Sequence, residues 1–433
     1  MLLALVALDF ARTPRPERLH VERTLPQTAG LSAPFDRRLE VDPARAPRPD
    51  RLLGLELEVS EEFPACFTVC GRSWGERGEP APPAEGDPTG GPDRGRLGEG
   101  PLVLTRTYRS DLRGLHALGD LRVRLRGRLG LVVRQSRLAG SQPVAIEPAL
   151  AGLQRTLRLV QSERWWDLGV RRLRRRGGQT EFESLRDYVQ GDDVRLVDWK
   201  AFARRGKPTV RQFQEERGQE LILLVDGGRR MRLAAEEAPH RGWTKLDWAL
   251  DAALELAAVA LQQGDRVGCA VFDARLRCYV APARGARQLA RLRGAVFPLL
   301  PTTLESDLAR SLREIAVRHR RRALVLILSD VADPLSVDAQ RKALASASKR
   351  HRLVFAGLDD PGVRRIAEGR GDLEAAAGGL PPAALRAAAF ELIEDRRRSL
   401  RALAGTGVRV LDALPAEAAA PLLAAWLEER RRG

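Results

Sequence analysis

Two apolar runs in this chain close on an aspartate. "LILLVD" delivers Asp226 and "ALVLILSD" delivers Asp330. A buried parallel strand that ends this way carries its carboxylate to the rim of an open α/β sheet, where ligands bind. Two such strands side by side bring both carboxylates to one edge. Converging carboxylates with hydroxyls nearby make an oxygen-rich site for a hard cation, magnesium or manganese. The residues after Asp226 offer a different partner. Gly227 and Gly228 turn the chain, and Arg230 follows with a permanently charged fork that fits carboxylates. Asp226 therefore holds a metal ion, a substrate, or its own neighbour Arg230.

A second cluster lies just upstream in "EFESLRDYVQGDDVRLVDWKAFARRGKPTVRQFQEE". Asp192, Asp193 and Asp198 stand among Arg186, Arg195, Lys200 and Arg204, with Tyr188 and Trp199 as packing residues and Gly191 opening a turn. One reading is a clasp, aromatic residues pinned by ion pairs between two domains. The other is an exposed docking surface. A sharper, enzymatic alternative is that Asp198 and Lys200, with Asp187 and Asp193 upstream, match the acid and acid-x-Lys pattern of metal-dependent nucleases. No serine-hydrolase elbow, Walker loop, dinucleotide fingerprint or zinc-protease motif occurs in the chain, and the expectation is a protein that is not an enzyme.

The formal charge of +16 rests almost wholly on arginine, since only five residues are lysine. Arginine is spread over the whole chain along with Ala, Gly, Leu and Pro, so no specific nucleic-acid site is expected. Four cysteines and five scattered histidines show no zinc spacing. No cofactor is expected, with magnesium or manganese at Asp226 and Asp330 as the alternative.

These residues need elements to position them. From 219 onward apolar runs alternate with helical patterns. "TKLDWALDAALELAAVALQQGD" reads as a long helix capped by Thr244 and stopped by Gly264, and "VGCAVF" and "LRCYVA" read as a hairpin around Asp273. The pattern predicts a mostly parallel sheet with helices on both faces over 218–433. Residues 19–149 carry short period-two runs between Pro and Gly breaks and predict a small β-sandwich. Within it, 71–100 is too rich in Gly, Pro and charge to fold alone and is expected to be a disordered insertion. Residues 150–217 form a connector in which "FESLRDYV" reads as helical. At the N-terminus, 1–18 holds an eight-residue apolar run that spans about 12 Å as a helix, against about 30 Å of hydrocarbon. That leaves two readings, a stub of a membrane anchor or a buried first segment, and a cytoplasmic protein either free or at the inner face of the membrane.

The order of strands, helices and aspartates after 219 resembles the von Willebrand factor A domain. Its metal-ion-dependent adhesion site has the form D-x-S-x-S followed by a distant Thr and a distant Asp. Here Gly228 and Arg230 stand at the two serine positions, so the resemblance implies a degenerate site in which the Arg230 guanidinium replaces the metal between Asp226 and Asp330. Thr302, Thr303 and Ser306 all fit the third position. The connector, together with "RGLHALGDLRVRLRGRLGLVVRQ" and "KLDWALDAALELAAVALQQGDRVGCAVFD", closely resembles the bacterial family called domain of unknown function 58. That resemblance implies a von Willebrand factor A-like α/β domain behind a β-sandwich. It also implies a scaffold or adaptor that works with a MoxR-type AAA+ ATPase on a client protein. The alternatives are a metal-dependent protein-binding module and, more remotely, a metal-dependent nuclease.

Overall fold

A computed structural model describes residues 1–75, 80–81, 91–149, 180–187, 199, 209–215, 218–234, 242–330, 334–370 and 381–432. It is a mixed α/β structure with several sheets. The C-terminal part holds a six-stranded sheet in the order β17 (Leu276–Ala283), β16 (Arg266–Phe272), β15 (Glu220–Asp226), β18 (Leu324–Ser329), β19 (Arg352–Leu358) and β20 (Arg409–Ala413). All neighbours run parallel except the β16–β17 hairpin, as the alternation of runs and the Asp273 turn predict.

Strand β15 shows why the run from Leu221 to Val225 is unbroken. Successive side chains of a strand point to opposite faces. Leu221, Leu223 and Val225 enter one core, and Ile222 and Leu224 enter the other. The first core is shared with α2 (Lys245–Gln262), α3 (Ala286–Val296) and α8 (Ala419–Arg432). The second is shared with α4 (Leu308–Arg318), α5 (Pro334–Ser348) and α7 (Pro382–Ala404). With both faces covered, a strand has no solvent side to mark with polar residues.

Helix α2 is buried from Lys245 to Ala260. Thr244 caps it reciprocally: its hydroxyl accepts from the Asp247 amide at 3.2 Å, and the Thr244 amide donates to Asp247 Oδ2 at 2.8 Å. Gly264, at φ 84°, ends it in a conformation that favours glycine.

The N-terminal part is β-rich and consistent with a β-sandwich. A five-stranded sheet runs β1 (His20–Thr24), β3 (Phe35–Asp42), β8 (Leu102–Ser110), β5 (Phe67–Gly75) and β6 (Pro80–Ala81). A four-stranded sheet runs β11 (Val133–Leu138), β10 (Leu121–Arg126), β4 (Glu56–Glu61) and β7 (Asp93–Arg96). Leu39 and Leu104 of the first meet Leu57, Val59, Val123 and Leu125 of the second in one core. A third sheet, β2 (Thr28–Gly30), β12 (Gln142–Glu147) and β9 (Gly114–Leu118), lies beside them.

This part is fastened to the first turn of α2. Buried Arg113 donates to Asp247 through Nε and to the Leu299 carbonyl at 3.1 Å through Nη2. Trp243, stacked on Trp248 with ring centroids 4.5 Å apart, donates to Ser32 Oγ at 2.9 Å. Arg293 of α3 reaches Glu147 at 2.5 Å.

Three expectations need correction. The stretch 71–100 is not wholly without structure: β5 runs on to Gly75, Pro80–Ala81 pairs with it, and β7 pairs with β4. What composition hides is long-range pairing, together with the buried ion pairs from Asp93 to Arg37 and Arg106. "FESLRD", the described part of "FESLRDYV", is not a helix; β13 (Thr180–Asp187) pairs antiparallel with β14 (Thr209–Glu215), setting Phe182 opposite Phe213. A β-favouring partner distant in sequence overrides the local spacing. The N-terminal helix α1 (Leu2–Arg12) is not buried by its apolar residues, because Leu2, Leu3, Leu8 and Phe10 are exposed. It is held by Asp9, which accepts from the Leu129, Leu131 and Val132 amides at 3.2, 3.1 and 3.2 Å. Among the described residues no helix is long and apolar enough to cross a membrane.

Candidate functional site

Asp226 and Asp330 do emerge on one edge of the sheet, because β15 and β18 are neighbours in parallel register, Val225 opposite Leu328. Among the described residues no single side-chain cation bridges the two. Asp226 is buried and accepts from the Gly228 amide at 2.8 Å, the Ser306 hydroxyl at 2.5 Å and the Ser329 hydroxyl at 2.6 Å. Burial pushes its carboxyl above the ordinary range. The hydrogen bonds from Ser306, Ser329 and Gly228 oppose that shift, and the Asp330 charge adds to it.

Asp330 is paired instead. Lys245 Nζ lies 2.7 Å from Asp330 Oδ2 and 3.1 Å from Asp360 Oδ2, with 1% of its side chain exposed. Arg396 of α7 spans three carboxylates, Asp330 at 3.4 Å, Asp359 at 3.3 Å and Asp412 at 2.7 Å. Arg364, on α6 (Pro361–Ala367), closes the set by donating to Asp359. The site is thus a chain of alternating charges along the carboxyl ends of β18, β19 and β20, with the hydroxyl-bound Asp226 at one end.

Arg230 is a correction. It lies on the short turn Arg229–Arg232, half-buried, and no hydrogen bond or ion pair joins it to Asp226 or Asp330. Three donors already satisfy Asp226, and the cation at Asp330 comes from the first turn of α2. Gly228 is where the sequence pattern meets a hard limit. A Cβ there would sit 2.1 Å from Ser306 Oγ and 2.9 Å from the Leu304 carbonyl. The Ser306 hydroxyl fills the space a serine at 228 would need.

Of the three residues open for the third position, Ser306 reaches Asp226. Thr302 instead bonds Asp273 Oδ2 at 3.2 Å, and Thr303 is exposed, with no hydrogen bond to Asp226. In the connector, Arg186 lies in β13 and Trp199 is exposed. Tyr188, Gly191, Asp192, Asp193, Arg195, Asp198 and Lys200 lie outside the described residues, and with them the Asp198 and Lys200 pattern.

The sequence reading missed Lys245, Ser329, Asp359, Asp360, Arg396 and Asp412. A signal existed for three of them. "RLVFAGLDD" is a third apolar strand running into aspartate, by the same rule that singled out Asp226 and Asp330. Lys245 is one of five lysines and opens a helix that is otherwise buried throughout. Arg396 carries no such mark among so many arginines. Among the described residues, no group of three or more His, Cys, Asp or Glu side chains is arranged to hold a metal ion.

The family model described as "Protein of unknown function DUF58" matches residues 184–379. The match covers less than half of the chain, and over these residues the chain is similar to that family. The matched stretch contains Asp226, Lys245, Ser306, Ser329, Asp330, Asp359 and Asp360, while Arg396 and Asp412 lie beyond it. Uncharacterized proteins of Mycobacterium bovis and Mycobacterium tuberculosis are 30% identical over 188 residues, 43% of this chain and 56% of theirs. The match therefore spans little more than half the length of these curated relatives. Among solved structures, the conserved hypothetical protein BatB from Bacteroides thetaiotaomicron overlaps 50% of this chain and 100% of its own at 14% identity and a TM-score of 0.30. An uncharacterized membrane spanning protein from Vibrio fischeri overlaps 48% of this chain and 97% of its own at 13% identity and a TM-score of 0.18. Overlaps this loose carry no argument about the DUF58 region.

Proposed function

We propose that this chain is a non-catalytic adaptor whose DUF58 region is a von Willebrand factor A-like module with a degenerate, metal-independent adhesion site. The observation that carries the reading is Lys245. Its ammonium lies at the mouth of the sheet within 3.1 Å of two carboxylates and is withdrawn from water. Such a charge is tolerated in the interior only when paired, and removing either side leaves the other uncompensated. The position a divalent cation would take is thereby held by the chain itself.

The partner surface is then the rim around that pair. Leu233 and Leu304 are exposed there, flanked by Arg229, Arg230 and Glu305. Exposed apolar residues ringed by charge suit a protein partner. The family resemblance supplies the candidate, a MoxR-type AAA+ ATPase, with a client protein as the third member.

Calorimetry with magnesium and manganese, beside affinity capture from the native host, tests both halves. The expected result is no metal binding by the wild type and recovery of an AAA+ ATPase, lost in Leu304→Asp and Arg230→Glu. Capture that persists unchanged in both variants would remove the rim from the reading, and recovery of no ATPase would remove the partner.

A second reading rests on Asp226. A carboxylate with two serine hydroxyls is an oxygen set that suits magnesium. Micromolar magnesium affinity in the wild type, abolished by Asp226→Asn, would favour a metal-dependent binding module instead.

A further inference from the structure

The carboxyl edge of the sheet, where open α/β sheets usually bind ligands, is occupied here by the chain's own Lys245 and Arg396. The opposite edge is not. Where β15 and β16 begin and the chain turns from α4 into β18, a cleft of about 390 Å³ opens, of the size that takes a small ligand. It lies about 20 Å from Asp226, the length of strand β15.

Its charged lining is mostly cationic. Arg266, Arg318, Arg320 and Arg321 face it, with Glu220 as the acid among the lining residues. Glu220 is engaged within the cleft, 2.9 Å from His319 Nε2, 3.4 Å from Arg266 and 3.5 Å from Arg321. Arg318 rests over the Tyr279 ring, with its guanidinium carbon 5.8 Å from the centroid.

One polar atom here has no partner among the described residues. The Tyr279 hydroxyl is buried without a hydrogen bond, whereas Arg266 Nε and His319 Nε2 are taken up by the ion pairs to Glu220. Buried polar groups in native proteins nearly always find a partner, protein or otherwise. An unpartnered hydroxyl donor, set among four guanidinium groups, points to an anionic group from outside.

We propose that this cleft binds a small, multiply charged phosphate ligand, with Arg318, Arg320 and Arg321 supplying charge and Tyr279 and Arg266 supplying further donors. Guanidinium groups fork onto phosphate oxygens, and a small cleft excludes an extended polyanion. The site is independent of the adaptor reading, since it shares no residue with the Asp226 rim.

The test is titration of the full chain with inorganic pyrophosphate by calorimetry at fixed ionic strength. Beside the wild type stand Arg318→Ala/Arg320→Ala/Arg321→Ala and a charge-matched control, Arg341→Ala/Arg397→Ala/Arg398→Ala, on exposed positions of α5 and α7. Saturable one-to-one binding that weakens about tenfold or more in the cleft variant and is unchanged in the control is expected. Tyr279→Phe, which removes one oxygen and leaves the packing intact, should weaken it more modestly while melting like the wild type. No saturable binding, or equal loss in the cleft variant and the control, overturns the proposal and assigns the attraction to net charge.

Discussion

Two buried ion networks hold this protein, and they are built on opposite terms. In the β-rich part, Arg23, Arg37 and Arg106 surround Glu61 and Asp93, three guanidinium groups to two carboxylates. The surplus is absorbed by backbone: the Gly119, Leu104 and Gly91 carbonyls accept at 2.7, 3.2 and 2.7 Å. At the sheet rim, Asp330, Asp359, Asp360 and Asp412 share Lys245, Arg364 and Arg396, four carboxylates to three cations, and Asp226 stands beside them with no ion pair among the described residues. The first network is sealed, with Arg37 and Arg106 fully buried. The second is open on one side, since Arg364 and Asp412 are nearly half exposed. A closed network with its charge settled by carbonyls can serve only structure. An open one with surplus carboxylate keeps the capacity to meet a partner.

The sharpest way to break that contrast is in the sealed network. Burial by itself would pull the Arg37 guanidinium down, but Glu61 and Asp93 more than offset it, and its proton is held more tightly than usual. The Tyr108 hydroxyl, donating to Glu61 at 3.0 Å, is pushed up to about 12 by burial and by that carboxylate. Arg37→Met leaves both carboxylates short of a partner and should cost about 3–5 kcal/mol in denaturant unfolding. A loss below about 1 kcal/mol would mean the network is not the structural element described.

Lys245→Met is the corresponding change at the rim and should cost less, about 2 kcal/mol, because Arg396 still holds Asp330 and water can enter from the open side. It should also create weak magnesium binding that the wild type lacks, read by calorimetry. The same loss with no gain of metal affinity would leave Lys245 as structural support only. Chelation of the wild type should leave both its melting temperature and its partner capture unchanged.

Gly228→Ser comes next in size. The added hydroxymethyl group meets Ser306 Oγ and the Leu304 carbonyl, an overpacking that should cost about 1–3 kcal/mol. Ser306→Gly in the same chain should recover part of it, since it removes the first clash and leaves the second. Absence of any recovery would show that Ser306 does not occupy that space.

How legible each region was follows from the range of its interactions. The α/β part writes itself locally: two-sided burial makes "LILLVD" and "ALVLILSD" continuous apolar runs, and Thr244 and Asp247 cap a helix within four residues. Asp226 and Asp330 were readable for the same reason. Their partners were not. Lys245 and Arg396 reach Asp330 across 85 and 66 residues, and nothing near either in sequence announces it. Arg230 looked right because it is close along the chain, but three nearer donors had already satisfied Asp226. In the β-rich part, β7 was hidden in a Gly- and Pro-rich stretch because its structure comes from β4 and Arg37, both distant in sequence, and from Arg106 thirteen residues beyond Asp93. The "FESLRD" strand was hidden the same way, by a partner more than twenty residues on.

The smallest effect belongs to Asp226, and its sign depends on pH. Its folded carboxyl titrates above the unfolded value of 3.8, chiefly because it is buried. Between those two values the folded state holds a proton that the unfolded chain has lost, so stability from this group is fully present below the unfolded value and falls as pH rises through the folded one. Above the unfolded value the buried carboxyl is therefore a net cost to stability, moderated by Ser306, Ser329 and the Gly228 amide. Asp226→Asn keeps the shape and removes the titration. It should leave stability at pH 7 unchanged or raised by up to about 1 kcal/mol, and flatten the decline between acid and neutral pH, followed by urea melts across that range. If Asp226→Asn instead destabilises at pH 7 and the loss disappears at pH 4, the carboxylate is charged and favourably held. A cation, from a partner or from solution, would then belong at the rim, and the contrast between the sealed and open networks would become one of occupancy, not of charge balance.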